Sequence, residues 1–312
     1  MTSLYKLRDW IDVNKLYWSY LSENPNAVDL LEKNQDKINW YWLSMNPNAI
    51  HILQKNLDKI EWKNLVFNPN AMSILERNPD KIHWKRLSTN PNAIHLLEKN
   101  QDKIDWGNLS LNPNAISLLE KNQDKINWDN LSENPNAISL LEQNMDKIRW
   151  SCLSENPNAI HILEQNLNKI HWYWFSRNPN AIKLLERNME KIDWTNLSIN
   201  DNATDLILEN PYKPTWKYLS LNPNVIPLLE KNLDKIDWNN LSENSNAIHL
   251  LKQNINKINW EYFSSNPNIF ELNYDFLKQR MDILREELMM KAWHPSRVEK
   301  WLDFGMEIED IY

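Results

Sequence analysis

Apolar residues return along this chain in a fixed phrase. In "WYWLSMNPNAIHILQKNLDKIEW", Trp40 to Trp62, the apolar scaffold is Trp40, Leu43, Ala49, Ile50, Ile52, Leu53 and Ile60, with polar residues between. Trp and Leu stand three apart, and Ala49, Ile50, Ile52 and Leu53 fall at i, i+1, i+3 and i+4, one face of a short helix. The Asn-Pro pair ahead of that face suits a helix start, because Asn caps and Pro in the first turn loses no needed hydrogen bond. Asn56 closes the helix. Asn tolerates the left-handed conformation that ends helices, which suits a chain with 2 glycines. The phrase predicts a pair of very short helices joined by tight turns.

The phrase is then repeated without slippage. Trp recurs every 22 residues from Trp18 through Trp260, twelve times with no insertion or deletion. Leu follows three residues later, or Phe at Phe175 and Phe263, and then Ser, with Val66 the exception. The first two Asn of Asn-Pro-Asn occur in all twelve copies, while Pro gives way to Asp201 and Ser245. Helices this short are marginal alone, so each layer must bury its apolar face on the next. The expected fold is all-α: an α-solenoid of about twelve two-helix repeats over 18–273, forming a rod or superhelix of about 100 Å at ordinary helix spacing. The competing arrangement is a leucine-rich-repeat-like α/β solenoid with "KIxW" as its strand, but the spacing of Ile, Trp, Leu and Asn does not meet that motif.

A solenoid exposes a raw apolar face at each end and needs caps. Residues 1–17 read as a degenerate half-repeat capping the N-terminus, with Lys15 and Leu16 in the Lys-Ile places. Residues 274–312 read as a helical C-terminal cap. Its long helix, Tyr274 to Trp293, carries a stripe through Phe276, Leu277, Met281, Leu284 and Leu288, with Met289 beside it. "HPSR" makes a turn, and "VEKWLDFG" a last short helix closed by Gly305. The least faithful copy runs from Trp194 to Thr215, with Pro214 where other copies have Ile. Pro227 then falls inside the next predicted helix, where proline removes a bond and clashes. Simple drift of the repeat accounts for these departures, and the sharper alternative is a bend or hinge near 201–227.

Composition narrows the function. The chain is 42% hydrophobic and 25% charged, enough to bury a core and too much for disorder. A net charge of -7 argues against a general nucleic-acid binder. Two glycines leave no phosphate-cradling loop or dinucleotide fingerprint. Cys152 is the 1 cysteine, which excludes an internal disulfide and cysteine-rich zinc modules. No apolar run matches a membrane span or a signal peptide, so a soluble protein of a reducing compartment is expected.

No catalytic or metal constellation stands out. His51, His95, His161 and His249 share one repeat position, but their layers would lie about 20 Å or more apart, whereas zinc ligands converge at about 2 Å. Cys152 has no identifiable base partner. A non-enzyme without cofactor or metal is expected. Lysine recurs at Lys37 and every 22 residues to Lys257. Such a row could track a phosphate backbone, but Asp usually precedes the Lys and Glu often stands five residues earlier, so a ladder of surface ion pairs is expected instead.

Binding is sought where the copies differ. The two residues after each repeat Trp vary while the scaffold does not, as when each layer offers a different side chain outward. Trp and Tyr are favoured interface anchors. The candidate partner-binding residues are Tyr41, Trp42, Tyr173, Trp174, Tyr218 and Tyr262, with Trp42 and Trp174 foremost.

The opening "LYKLRDWI", the repeated "LSxNPNAIxLLEKNxDKIxW" and the tail "KAWHPSRVEKWLDFG" together resemble the 22-residue short-repeat proteins of giant DNA viruses (nucleocytoplasmic large DNA viruses, mimivirus-like). The likeness spans nearly the whole chain and is weakest at 201–227. It implies a place in the cytoplasm of an infected host cell or in the virion, and it brings no catalytic residues. The expected function is a protein–protein interaction scaffold with a host or viral protein partner and no membrane. The alternatives are a structural virion component and an RNA-binding repeat protein using the lysine row.

Overall fold

The computed structural model describes residues 4–304. Gly305, the expected end of the last helix, lies outside the described residues.

Every tryptophan of the series begins an α-helix, from Trp18–Glu23 to Trp260–Phe263. A second helix and a 3-10 turn follow; one copy runs Trp40–Leu43, Ile50–Lys55, Leu57–Lys59. Leu43, Ala49, Ile52, Leu53 and Ile60 form its share of the core and are buried. The solenoid is helical as expected, and "KIxW" carries no strand. The departure from all-α is one two-stranded antiparallel sheet: β1 (Tyr5–Leu7) pairs with β2 (Phe270–Leu272), Tyr5 opposite Leu272 and Leu7 opposite Phe270.

Asparagine and serine side chains bind each repeat to the one before. Asn46 is fully buried, and its Nδ2 donates to the carbonyls of Ser22 and Asn24, each at 3.0 Å. Its Oδ1 accepts from the Asn48 backbone N–H, which fixes the turn. Asn48 Nδ2 donates to the Pro25 carbonyl at 3.0 Å. Ser44 Oγ donates to the Trp40 carbonyl and accepts from the Glu61 N–H of the next repeat. Val66 has no hydroxyl and cannot make that link.

The helices begin and end differently from expectation. Asn-Pro-Asn-Ala is a turn, or in copies such as Pro91–Ala93 a 3-10 turn, and the α-helix starts after it. The closing Asn is not left-handed: Asn56 sits at φ -136°, ψ 53°. Its Nδ2 bonds the Ile52 carbonyl at 2.9 Å, so the side chain satisfies a helix-end acceptor without positive φ.

The packing divides the chain into a repeat unit, Trp10–Ile269, and a second unit made of both chain ends. Within the repeat unit the last repeat bonds to the first. Asn24 Nδ2 donates to the carbonyls of Ser264 (3.2 Å) and Asn266 (3.0 Å), and Asn26 Nδ2 to that of Pro267 (3.1 Å). The Tyr17 N–H donates to Ser264 Oγ at 2.9 Å. Donor by donor, these are the links that join consecutive repeats elsewhere. Val13–Lys15 supplies the 3-10 turn and buried Leu16 the Ile place that the last repeat lacks. The expected rod is therefore overturned: the repeat unit closes on itself as a ring, with no raw apolar end for a cap to cover.

A wedge-shaped layer explains the closure. First helices of several adjacent repeats pack closely, as Trp106–Leu111 with Trp128–Glu133, where Asn130 Nδ2 donates to the Gly107 carbonyl at 2.8 Å, and adjacent second helices approach each other less. In a closed ring the closer-set elements occupy the inner circumference.

The ladder also runs through 201–227. Asn200 bonds Ser176 and Asn178, Asn222 bonds Ser198 and Asn200, and Asn224 bonds Asp201. Pro227 stands in the first turn of Ile226–Glu230, where its missing N–H costs nothing. The inter-repeat asparagine links are thus kept through the segment for which a hinge was the alternative to simple drift.

In the second unit, Arg8 pairs with Glu271 across the sheet at 2.8 Å, and the helices Tyr274–Ala292 and Pro295–Asp303 follow β2. Of the stripe expected to cap the solenoid, Phe276 and Leu277 are half-buried, whereas Met281 is 62% and Leu288 69% exposed.

The two Asn types should differ in weight. Asn112→Ala strands the buried carbonyls of Ser88 and Asn90 and is expected to cost about 3 kcal/mol, against about 1 kcal/mol for Asn114→Ala at an exposed link. Urea unfolding followed by circular dichroism measures both.

Candidate interaction surface

The variable pair after each Trp lies on the first helix. Tyr41 and Tyr173 are exposed, while Trp42 and Trp174 are half-buried behind them. Each Tyr meets its Trp edge to face, with ring centroids 5.1 Å apart in the first pair and 4.9 Å in the second. The two repeats thus build the same aromatic step, a geometry aromatic pairs favour. Tyr218 is half-buried, with Lys217 Nζ 5.9 Å from its ring centre. Tyr262 is half-buried, its N–H held by Asn259 Oδ1.

Closure adds residues that the linear pattern did not single out. Tyr20 Oη donates to Glu261 Oε1 at 3.0 Å, and that bond raises the Tyr20 pKa. Glu23 and Glu243 have raised pKa values, chiefly through burial, and the charge of Glu23 adds to the shift at Glu243. Only the bonding of the two ends makes these residues neighbours.

The lysine row is engaged otherwise than expected. Lys37 Nζ lies 4.7 Å over the Trp18 ring, Lys125 4.5 Å over Trp106 and Lys147 4.4 Å over Trp128. Lys15 continues the series over Trp260 at 5.0 Å, across the seam. Each lysine folds back on the Trp that opens its own repeat, a cation–π contact of about 0.5–1 kcal/mol at an exposed site. Lys81 is the exception and pairs with Asp80 at 3.8 Å. The expected ladder of Asp and Glu pairs gives way to Trp faces because the 3-10 turn brings the lysine stem across the indole.

The recurring histidines do not meet one another. Each pairs with a Glu of the preceding repeat: His51 with Glu32, His95 with Glu76, His161 with Glu142 and His249 with Glu230. Among the described residues no three His, Cys, Asp or Glu side chains are grouped to hold a metal. Burial, then a hydrogen bond to Glu133, pushes the Cys152 thiol up to about 11.

Comparison of the chain with protein-family models, curated proteins and solved structures finds no match.

The Cys152 shift has a readable consequence. An ordinary thiol ionises near pH 8.5, so at that pH the native thiol should react with iodoacetamide roughly a hundredfold more slowly than the urea-unfolded chain. Because the folded state prefers the protonated thiol, its contribution to stability is full below about pH 8.5 and is lost as pH rises through about 11.

Proposed function

We propose that the protein is a non-enzymatic interaction scaffold: a closed ring of twelve repeats that presents the variable side chains of its first helices to a protein partner. The observation that carries this reading is the split between fixed and variable positions. The fixed Asn, Ser, Trp and Leu are consumed in holding layer to layer. The variable pair lies on the first helices and is exposed or half-exposed in every copy except at Asn64 and Asn196, which are buried.

Packed helices about 8–10 Å apart and about 10–12 Å thick, set twelve to a circle, enclose an opening of roughly 20–25 Å. That width admits one or two helices of a partner. Two observations favour protein over RNA. The net charge is -7, and the lysine row lies on Trp faces instead of standing free along a groove.

The test compares the native chain with Tyr41→Ala/Trp42→Ala/Tyr173→Ala/Trp174→Ala in affinity capture, with unchanged circular dichroism as a control on folding. Proteins recovered by the native ring should fall at least tenfold with the variant. Recovery of the same proteins in the same amounts would contradict the reading.

A further inference from the structure

Closing twelve repeats into a ring sets each repeat opposite the one six places on. At the residue after Trp, four of the six opposite pairs match: Ser19 with Ser151, Tyr41 with Tyr173, Lys85 with Lys217, and the acids Asp129 and Glu261; Lys63 faces Thr195 and Gly107 faces Asn239. At the next residue Trp42 matches Trp174. Tyr-Trp occurs in these two repeats of the series and in no other, and they are half a ring apart.

Away from the first helices the likeness is mixed. Eleven after Trp, His51 faces Lys183, Ser73 Asp205, His95 Pro227 and Ser117 His249, all unlike, whereas Pro79 matches Pro211 and Glu98 matches Glu230. The two Tyr–Trp steps are therefore the feature that carries the two-fold reading.

Two of the charges around each aromatic pair recur, although Lys63 beside the first pair corresponds to Thr195 beside the second. A glutamate precedes it by one repeat (Glu23, Glu155), and an exposed lysine follows two repeats on (Lys85, Lys217). Glu155 also touches Arg177 at 3.7 Å. A segment that matches this order carries a basic residue, an apolar one and an acidic one. A polyanion would meet a glutamate at one end of each site.

We propose that the ring holds two equivalent sites half a turn apart and takes a two-fold symmetric protein homodimer, whose axis runs along the ring axis. Each subunit of the homodimer places an apolar side chain on one Tyr–Trp step, with a basic residue toward the glutamate and an acidic residue toward the lysine. This rests on the reading of the ring as a protein-binding scaffold.

The probe is a dodecapeptide selected on the full-length ring from a random phage-displayed library, then titrated by calorimetry. Two equivalents per chain are expected, falling to one with Trp42→Ala or Trp174→Ala and to none with both. The exposed pair Tyr41→Ala and Tyr173→Ala should give the same series should a Trp variant misfold. Linking two copies of the peptide through a flexible spacer that spans the ring should tighten binding at least a hundredfold, a gain lost in either single variant. One equivalent, removed by one Trp variant alone, would overturn the two-fold proposal and leave the scaffold reading standing. Failure to select any peptide, or binding indifferent to all four aromatic residues, would overturn both. Equal binding of a single-stranded oligonucleotide at the same residues would also overturn it.

Discussion

A buried asparagine amide bridging two layers is the interaction on which the structure depends. Asn46 and its equivalents are at most 4% exposed, yet each accepts one N–H of its own turn and all but Asn90, which bonds the Val66 carbonyl alone, satisfy two carbonyls of the previous repeat. A buried polar group left unpaired costs more than a pairing gains, so the amide tolerates one spacing and one orientation between layers. Apolar packing of Leu and Ile supplies most of the burial but does not set the angle between repeats with that precision. With this bond set made at nearly every step, short of one link at Val66 and one at Asn90, a similar rotation recurs along the stack.

Closure follows from that repetition. First helices pack closely in several adjacent repeats while second helices do so less, and a wedge of that kind turns the stack until its ends meet. The seam then uses the ordinary bonds, Asn24 to Ser264 and Asn266 and Tyr17 to Ser264, and needs no special chemistry. A ring also removes the usual liability of a solenoid, its raw ends. The chain ends are left free to form a second unit around a two-stranded sheet, whose long helix keeps Met281 and Leu288 exposed.

The helical repeat was legible from Trp, Leu, Ile and Asn spacing, because a strict period reports units that contact their neighbours identically. The angle between units was not legible. It depends on helix separations that no single repeat encodes visibly, so a rod and a ring read alike. Residues 1–17 did show a Lys-Leu likeness just before Trp18, but not that Val13–Lys15 and Leu16 complete the last repeat. The closing Asn was identified by place and misjudged in conformation, since its side chain bonds the helix end at negative φ. The lysine row was matched to nearby acids in sequence, whereas the turn delivers it to an indole 19 residues back, as Lys125 to Trp106. Tyr41, Trp42, Tyr173 and Trp174 were found as variable aromatics in a fixed frame. Their opposition across a ring became visible only with closure.

Closure is tested most directly by amide hydrogen exchange at the seam. The Tyr17 N–H bonds Ser264 Oγ at 2.9 Å, and the Asn127 N–H bonds Ser110 Oγ at 3.0 Å in the middle of the repeat series. A closed ring predicts protection of Tyr17 within a factor of ten of Asn127. Exchange of Tyr17 hundreds of times faster, at the rate of a frayed end, would mean that the stack is open.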